Sequence, residues 1–281
     1  MEKTGDLNSM TIISHKFKLI HFHNPKCGGT SFEVALSKYL GNEDVISVEH
    51  EHYRRKMGYK TAQNHLSPGY QVKIRHDDLK RILINIRTLF IHIFGLHRIK
   101  KNYQLDYYSI FIHKNSLVGR HNSPEEIKNL FPNEFENYKK ICVIRNPIDQ
   151  FISFYRYRKG KPLKIDSPSI KKDYSFSIPF DEFVILCAGK FFNDVKRISG
   201  LTDPEVNNIH YIKYESFEDE IGSIIDECNI PNLITKTYRN TRLRDSDDYF
   251  PKPIVNENCK KQILQSSEFL KSFYSDLFQE T

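Results

Sequence analysis

Two short stretches, far apart in the chain, combine cations, hydroxyls and small residues in patterns that suit the binding of anions. The first is HFHNPKCGGTSFE, from His21 to Glu33. Lys26 can reach an anion across the turn, and Gly28 and Gly29 let the backbone approach it closely. Thr30 and Ser31 add hydroxyl donors where a helical pattern begins, and either is a natural N-cap. The free N–H groups and positive dipole end of such a helix favour negative charge. The spacing GxxxxGK[ST] is absent, which disfavours an ordinary ATPase loop. Cys27 raises a thiol alternative, because a cysteine near a helix start can ionise early. A cysteine phosphatase also needs an arginine soon after its loop, and none occurs before Arg54. The blander alternative is a tight turn with a satisfied lysine.

The second stretch is VIRNPIDQFISFYRY, from Val143 to Tyr157. A buried strand delivers Arg145 to a sheet edge, a helix follows, and Ser153 sits on its flank. The planar guanidinium suits phosphate, and the serine can add a hydroxyl bond. The competing reading pairs Arg145 with Asp149 and leaves Ser153 merely packed. Two strand ends that each deliver a cation and a hydroxyl fit a ligand with two separated anionic centres.

These groups need strands and helices to hold them. Residues 17–22 read as a buried strand, and TSFEVALSKYL (30–40) places Phe32, Ala35, Leu36 and Leu40 on one helical face, with Gly41 as its end. Residues 45–71 read as a loop and short helix. Residues 79–94 carry an apolar stripe at helical spacing, flanked by Lys80, Arg81 and Arg87. That stripe fits packing on a sheet or another copy, or contact with a membrane surface. A strand is expected from Tyr107. Ser123, Pro124 and Glu126 form a capping box, and Ile141–Ile144 reads as a short buried strand before a helix over 148–157. Residues 160–179 read as an exposed loop, FDEFVILCAG as a helix stopped by Gly189, His210–Lys213 as a strand, and Asn258–Phe278 as one closing helix. Alternation of strands and helices argues for a mainly parallel sheet covered on both faces.

Composition narrows the class. The 281 residues carry a net charge of +7, which favours anionic partners. No dense basic block or zinc-finger spacing is present, so nucleic acid is not expected as a partner. Five scattered cysteines, none in a CxxC pair, argue against a disulfide scaffold and point to a reducing compartment. His50 and His52 have HxH spacing but no evident third ligand, so no metal site is expected. The N-terminal residues lack a signal-peptide pattern and no clean membrane span is evident. The expected location is cytoplasmic and soluble, with contact to a membrane surface as the variant.

Together the two stretches resemble the sulfotransferases that use 3′-phosphoadenosine 5′-phosphosulfate (PAPS), in particular the carbohydrate sulfotransferase-like branch. FHNPKCGGTS is similar to that family's 5′-phosphosulfate loop (PKxGGTS), and CVIRNPIDQFISFYRY to its 3′-phosphate motif (RNPxDRxxSxYxY). GRHNSPEEIKNLFPNEFENYKK and IHYIKYESFEDEI resemble the segments before and after the second motif. The resemblance implies a P-loop-nucleotide-hydrolase-like sulfotransferase fold, a three-layer α/β sandwich around a mainly parallel sheet. It is expected as a single domain over 1–281, with a variable helical, substrate-facing region over about 44–118.

By position, the resemblance assigns Lys26, Cys27, Gly28, Gly29, Thr30 and Ser31 to the 5′-phosphosulfate and Arg145 and Ser153 to the 3′-phosphate. Lys236 and Thr237 match part of a late lid. Cys27 replaces a residue that is often threonine or alanine and presents its backbone to the anion. Gln150 stands where arginine is frequent, so a surface contact or salt bridge is expected to be missing. The reaction implied is transfer of a sulfuryl group to a hydroxyl, most simply of a glycan or glycolipid, with PAP as product and no metal required. Lys26 stabilises charge, and a base with a pKa near neutrality takes the hydroxyl proton. His121 is the first candidate for that base, His65 the second. The rival readings are a nucleotide-dependent kinase and a non-catalytic PAP- or PAPS-binding protein. Tyr155, Tyr157 and Arg158 are candidates for the mouth of the acceptor site, and the 79–94 helix for a homodimer or membrane contact.

Overall fold

An apolar hairpin starts the sheet. Ile12–Ser14 (β1) and Leu19–Phe22 (β2) are buried throughout and pair antiparallel, Ile12 opposite His21 and Ser14 opposite Leu19. The structure, a computed structural model, describes residues 11–46, 54, 57–60, 63–64, 122–158, 178–202, 207–231 and 252–279. All of these belong to one compact unit. Buried Asp44 pins the hairpin, accepting from Ser14 Oγ at 3.0 Å, Lys16 N at 3.0 Å and Gly41 N at 2.7 Å.

The sheet has five strands in the order β3-β1-β2-β4-β5, where β3 is Val45–Ile46, β4 Lys139–Ile144 and β5 Ile209–Lys213. β2, β4 and β5 are parallel to one another, while β1 runs antiparallel to both β2 and β3. The described sheet is therefore mixed, not mainly parallel. The physical reason is local: the turn between Ser14 and Leu19 is too short for a crossover, so β1 can only return antiparallel. Residues 45–71 also hold a strand that their composition does not announce, with Ile46 bridged to Gln63.

Helix α1 (Gly29–Ser37) follows β2, α2 (Pro124–Leu130) and α3 (Pro132–Asn137) precede β4, and α4 (Pro147–Arg158) follows it. α5 spans Phe180–Ser199 and α6 Phe217–Glu227. The capping box at α2 is present: Glu126 N donates to Ser123 Oγ at 3.3 Å and Ser123 N to Glu126 Oε2 at 2.7 Å. α5 does not stop at Gly189. It ends at Gly200, which is left-handed (φ 74°) and so tight that a Cβ would meet Pro124 Cγ at 2.7 Å and Ile209 Cδ1 at 2.8 Å. The expected single closing helix is broken into α7 (Glu257–Ser266), a 3₁₀ turn (Glu268–Leu270) and α8 (Ser275–Gln279). Ser267 Oγ donates back to Ile263 O at 2.8 Å, a local bond that competes with continuation of the helix.

Alternate residues of β4 face different clusters, as the pleat requires. Ile141 and Val143 pack with Phe32 and Leu36 of α1 and with Phe217, Ile221 and Ile224 of α6. Ile144 packs with Leu201 and Leu270. α4, α5 and α7 share an aromatic cluster centred on fully buried Phe151, ringed by Phe154, Phe180, Phe183, Phe191 and Phe192. Each such ring contributes about 2–3 kcal/mol by burial, so α4 is held firmly behind the edge it starts from. Among the described residues no helix is long and apolar enough to cross a membrane. The expected 79–94 helix, the strand from Tyr107 and most of the 160–179 loop lie outside the described residues.

Candidate functional site

The parallel strands β2, β4 and β5 bring their following segments to one edge of the sheet. A ligand site is expected outside such carboxyl ends. His23–Gly28 leaves β2, Arg145 and Asn146 leave β4, and Tyr214–Ser216 leaves β5, and each leads into a helix. α1 alone of these three helices has no acidic residue in its first turn, and it has no side-chain cap. α4 is capped by Asn146, whose Oδ1 accepts from Ile148 N at 3.0 Å. α6 opens with Glu218, Asp219 and Glu220, and Glu220 accepts from Lys213 N. The N-terminus with uncompensated positive potential is that of α1.

The turn into α1 is shaped by two left-handed residues. Gly28 (φ 78°) is the N-cap, so neither Thr30 nor Ser31 holds that position; both stand in the first turn, partly exposed. Lys26 also has φ 64°, which costs a non-glycine residue about 1 kcal/mol. The surroundings impose that conformation. Arg145 Nη1 donates to the Lys26 carbonyl at 3.1 Å. Buried Gln150 donates Nε2 to Pro25 O at 2.7 Å and to Asn24 Oδ1 at 3.2 Å. Gln150 is thus an internal clamp on the loop and not the site of a missing surface contact. The Lys26 ammonium lies 4.3 Å from the centre of the Tyr157 ring.

Arg145 is held without Asp149; no ion pair joins them among the described residues. Its guanidinium lies 4.6 Å from the Tyr214 ring centre, and its buried Nε has no hydrogen-bond partner among the described residues. Glu215 accepts from Asn146 N at 2.8 Å and from Tyr274 Oη at 2.9 Å, which ties the C-terminal segment to this edge. Ser153 is partly buried on α4, one helical turn from both Asp149 and Tyr157. Tyr155 does not line a mouth: it is a core residue whose hydroxyl donates to Ile178 O at 3.1 Å. Arg158 is buried as well.

Cys27 gives no support to a thiol mechanism. Its side chain is buried in the core, its Sγ donates to Pro25 O at 3.6 Å, and burial pushes its pKa well up, with Cys142 acting the same way. What it can present to a ligand is its backbone. No group of His, Cys, Asp and Glu suited to a metal occurs among the described residues. His65, His121, Lys236 and Thr237 lie outside the described residues.

Composition and spacing do not reveal His23, Glu33, Gln150, Tyr214 and Glu215 as parts of this edge. Their partners lie on other elements and are brought beside them only by the fold. The residues present suit a doubly anionic ligand: the N-terminus of α1, which has no side-chain cap, with Lys26 on one side, and a guanidinium whose buried Nε has no partner among the described residues on the other.

The model of the family described as "Sulfotransferase family" matches residues 9–274. No curated protein and no solved structure matches the chain. Since the matched span takes in His21–Glu33, Val143–Tyr157 and nearly everything else, the chain belongs to the sulfotransferase family and is a PAPS-dependent sulfotransferase.

Proposed function

We propose that this enzyme transfers the sulfuryl group of PAPS to a hydroxyl of a carbohydrate or glycoconjugate. The observation that carries the donor half of this reading is the convergence of Lys26 and Arg145 at one sheet edge, joined by the Arg145–Lys26 carbonyl bond. In this reading Lys26, Thr30, Ser31 and the N–H groups at Gly28 and Gly29 hold the 5′-phosphosulfate, and Arg145 and Ser153 hold the 3′-phosphate. Lys236 and Thr237 complete the lid. The donor supplies the sulfuryl group and a leaving 3′-phosphoadenosine 5′-phosphate. Lys26 and the α1 N-terminus stabilise the charge that grows on the leaving oxygen.

His121 takes the proton of the acceptor hydroxyl, with His65 as the second candidate. The acceptor oxygen gains the sulfur bond, the phosphate oxygen loses it, and the proton leaves on the base. Acceptor choice is assigned to residues 44–118, within a single domain of the three-layer nucleotide-hydrolase-like type. The net positive charge suits both the donor and an acidic acceptor.

The test is incubation of the purified protein with PAPS and a panel of glycans, glycolipids and small alcohols. The expected result is a sulfuryl mass added to a carbohydrate acceptor, abolished by His121→Ala with PAP binding intact. Sulfation of small alcohols alone would overturn the carbohydrate reading.

A further inference from the structure

Directly behind the turn, three polar side chains are buried together. Glu33 on α1 is fully buried, and His21 and His23, from β2 and its exit, are nearly so. His23 Nδ1 lies 2.8 Å from Glu33 Oε1 in hydrogen-bonding geometry. His21 Nδ1 is 3.0 Å from the same oxygen, but neither nitrogen of that ring makes a hydrogen bond among the described residues. The His23 ring also lies against Gly29, the first residue of α1: a Cβ there would meet its Nδ1 at 2.8 Å and its Cε1 at 2.9 Å. The Nδ1 end of one ring therefore meets both a buried carboxyl and the first residue of α1.

We propose that Glu33 and His23 are a positioning pair for the donor loop, in which Glu33 fixes the His23 ring beneath Gly29 and the ring sets the placement of the first turn of α1. The inference rests on the donor-site reading above. Three observations support it. Gly29 has no room to sink or carry a side chain while the ring is present. The ring is anchored by a carboxyl oxygen from the same helix whose first residue it touches, which ties the exit of β2 to α1. His23 is also unsuited to be a base: burial, then the charge of Lys26, holds its pKa down to about 3. With its proton on Nδ1 the neutral ring donates to Glu33, and when Glu33 is protonated the carboxyl donates to Nδ1 instead; either bond holds the ring. The groups facing Glu33 are the His21 and His23 rings and the Arg54 guanidinium, and Lys26 faces His23.

Three variants of the full chain test this by calorimetric PAP binding and by separate KM values for PAPS and acceptor. Glu33→Gln keeps an oxygen that accepts from His23 and is expected to bind PAP within about threefold of the unmutated protein. Glu33→Leu removes that oxygen. His23→Asn keeps an N–H for Glu33 but removes the ring under Gly29. Both are expected to weaken PAP about tenfold or more and to raise the PAPS KM, with the acceptor KM changed by less than about twofold. Folded Glu33→Leu or His23→Asn protein that binds PAP as tightly as the unmutated chain overturns the inference. So does an equal rise of both KM values, the mark of a merely structural role. Should Glu33→Leu not fold, His23→Asn and Glu33→Gln decide on the same criteria. Failure of the unmutated protein to bind PAP overturns the donor-site reading itself, which the variants alone cannot do.

Discussion

Arg145 Nη1 donates to the carbonyl oxygen of Lys26 at 3.1 Å across a sequence separation of 119. The bond joins the loop after β2 to the end of β4 and couples the two groups proposed to hold the donor's anionic ends. The guanidinium carbon also lies 4.6 Å from the centre of the Tyr214 ring. A lysine cannot reproduce both contacts, because it has no planar fork. Arg145→Lys is expected to weaken PAP about tenfold to a hundredfold, measured by calorimetry. Retention of full affinity in that variant would falsify a role for the fork.

Gln150 supplies the other brace. Gln150→Ala leaves Pro25 O and Asn24 Oδ1 without their donor in a buried place, at a cost of about 1–3 kcal/mol. For a protein of this size the melting temperature is expected to fall by roughly 3–10 °C. PAP affinity is expected to drop as the loop loosens, and a stabilising ligand concentration should restore part of the loss. An unchanged melting temperature contradicts the clamp.

Cys27 is expected to be inert. Its thiol is buried and its pKa is pushed well up, so the thiolate is not populated near neutrality. Cys27→Ala is expected to keep turnover within about threefold and to cost about 1 kcal/mol by lost packing. Iodoacetamide should leave the native enzyme active. Loss of activity in step with alkylation of Cys27 contradicts this account.

The buried carboxyl beneath the loop gives a pH signature. Burial pushes Glu33 up to about 7, against the pull of His21 and Arg54, from an ordinary value near 4.5. The folded state then holds a proton that the unfolded chain releases, so this group's contribution to stability falls as pH rises from about 4.5 to about 7. His23 has the opposite sign: its pKa is held down to about 3, so its contribution is lost as pH falls below about 6.5. In Glu33→Gln only the His23 effect remains. The stability of that variant relative to the unmutated protein is therefore expected to decline on acidification from pH 7 to 4.5, by on the order of 3 kcal/mol at most. Urea unfolding at three pH values measures it. A difference that does not vary with pH contradicts the buried carboxyl.

What could be read from the sequence was local. Ser123 and Glu126 are three residues apart and make their capping box wherever the chain goes. The strand-turn-helix from Leu19 to Ser37 follows from an apolar run, a glycine pair and helical spacing. What escaped depends on distant partners. Gly189 resembles a helix stop, but packing of Phe191, Phe192 and Val195 in the core outweighs its helix cost of about 1 kcal/mol, and the chain turns only at Gly200. Gln150 reads as a surface residue until Asn24 and Pro25 are brought beside it. Glu33 reads as the polar face of an amphipathic helix, yet it points inward because His21 and His23 meet it there. The three-residue β1 carries too little pattern to announce an antiparallel hairpin.

In the proposed complex one donor is gripped at two anionic ends by separate groups. Calorimetric titration of PAP and of adenosine 5′-phosphate into the unmutated protein, Lys26→Ala and Arg145→Ala tests it most directly. Lys26→Ala is expected to weaken both ligands by a similar factor. Arg145→Ala is expected to collapse the preference for PAP over adenosine 5′-phosphate by about tenfold or more. An unchanged preference in Arg145→Ala, or undiminished binding in Lys26→Ala, contradicts a two-ended grip on the donor.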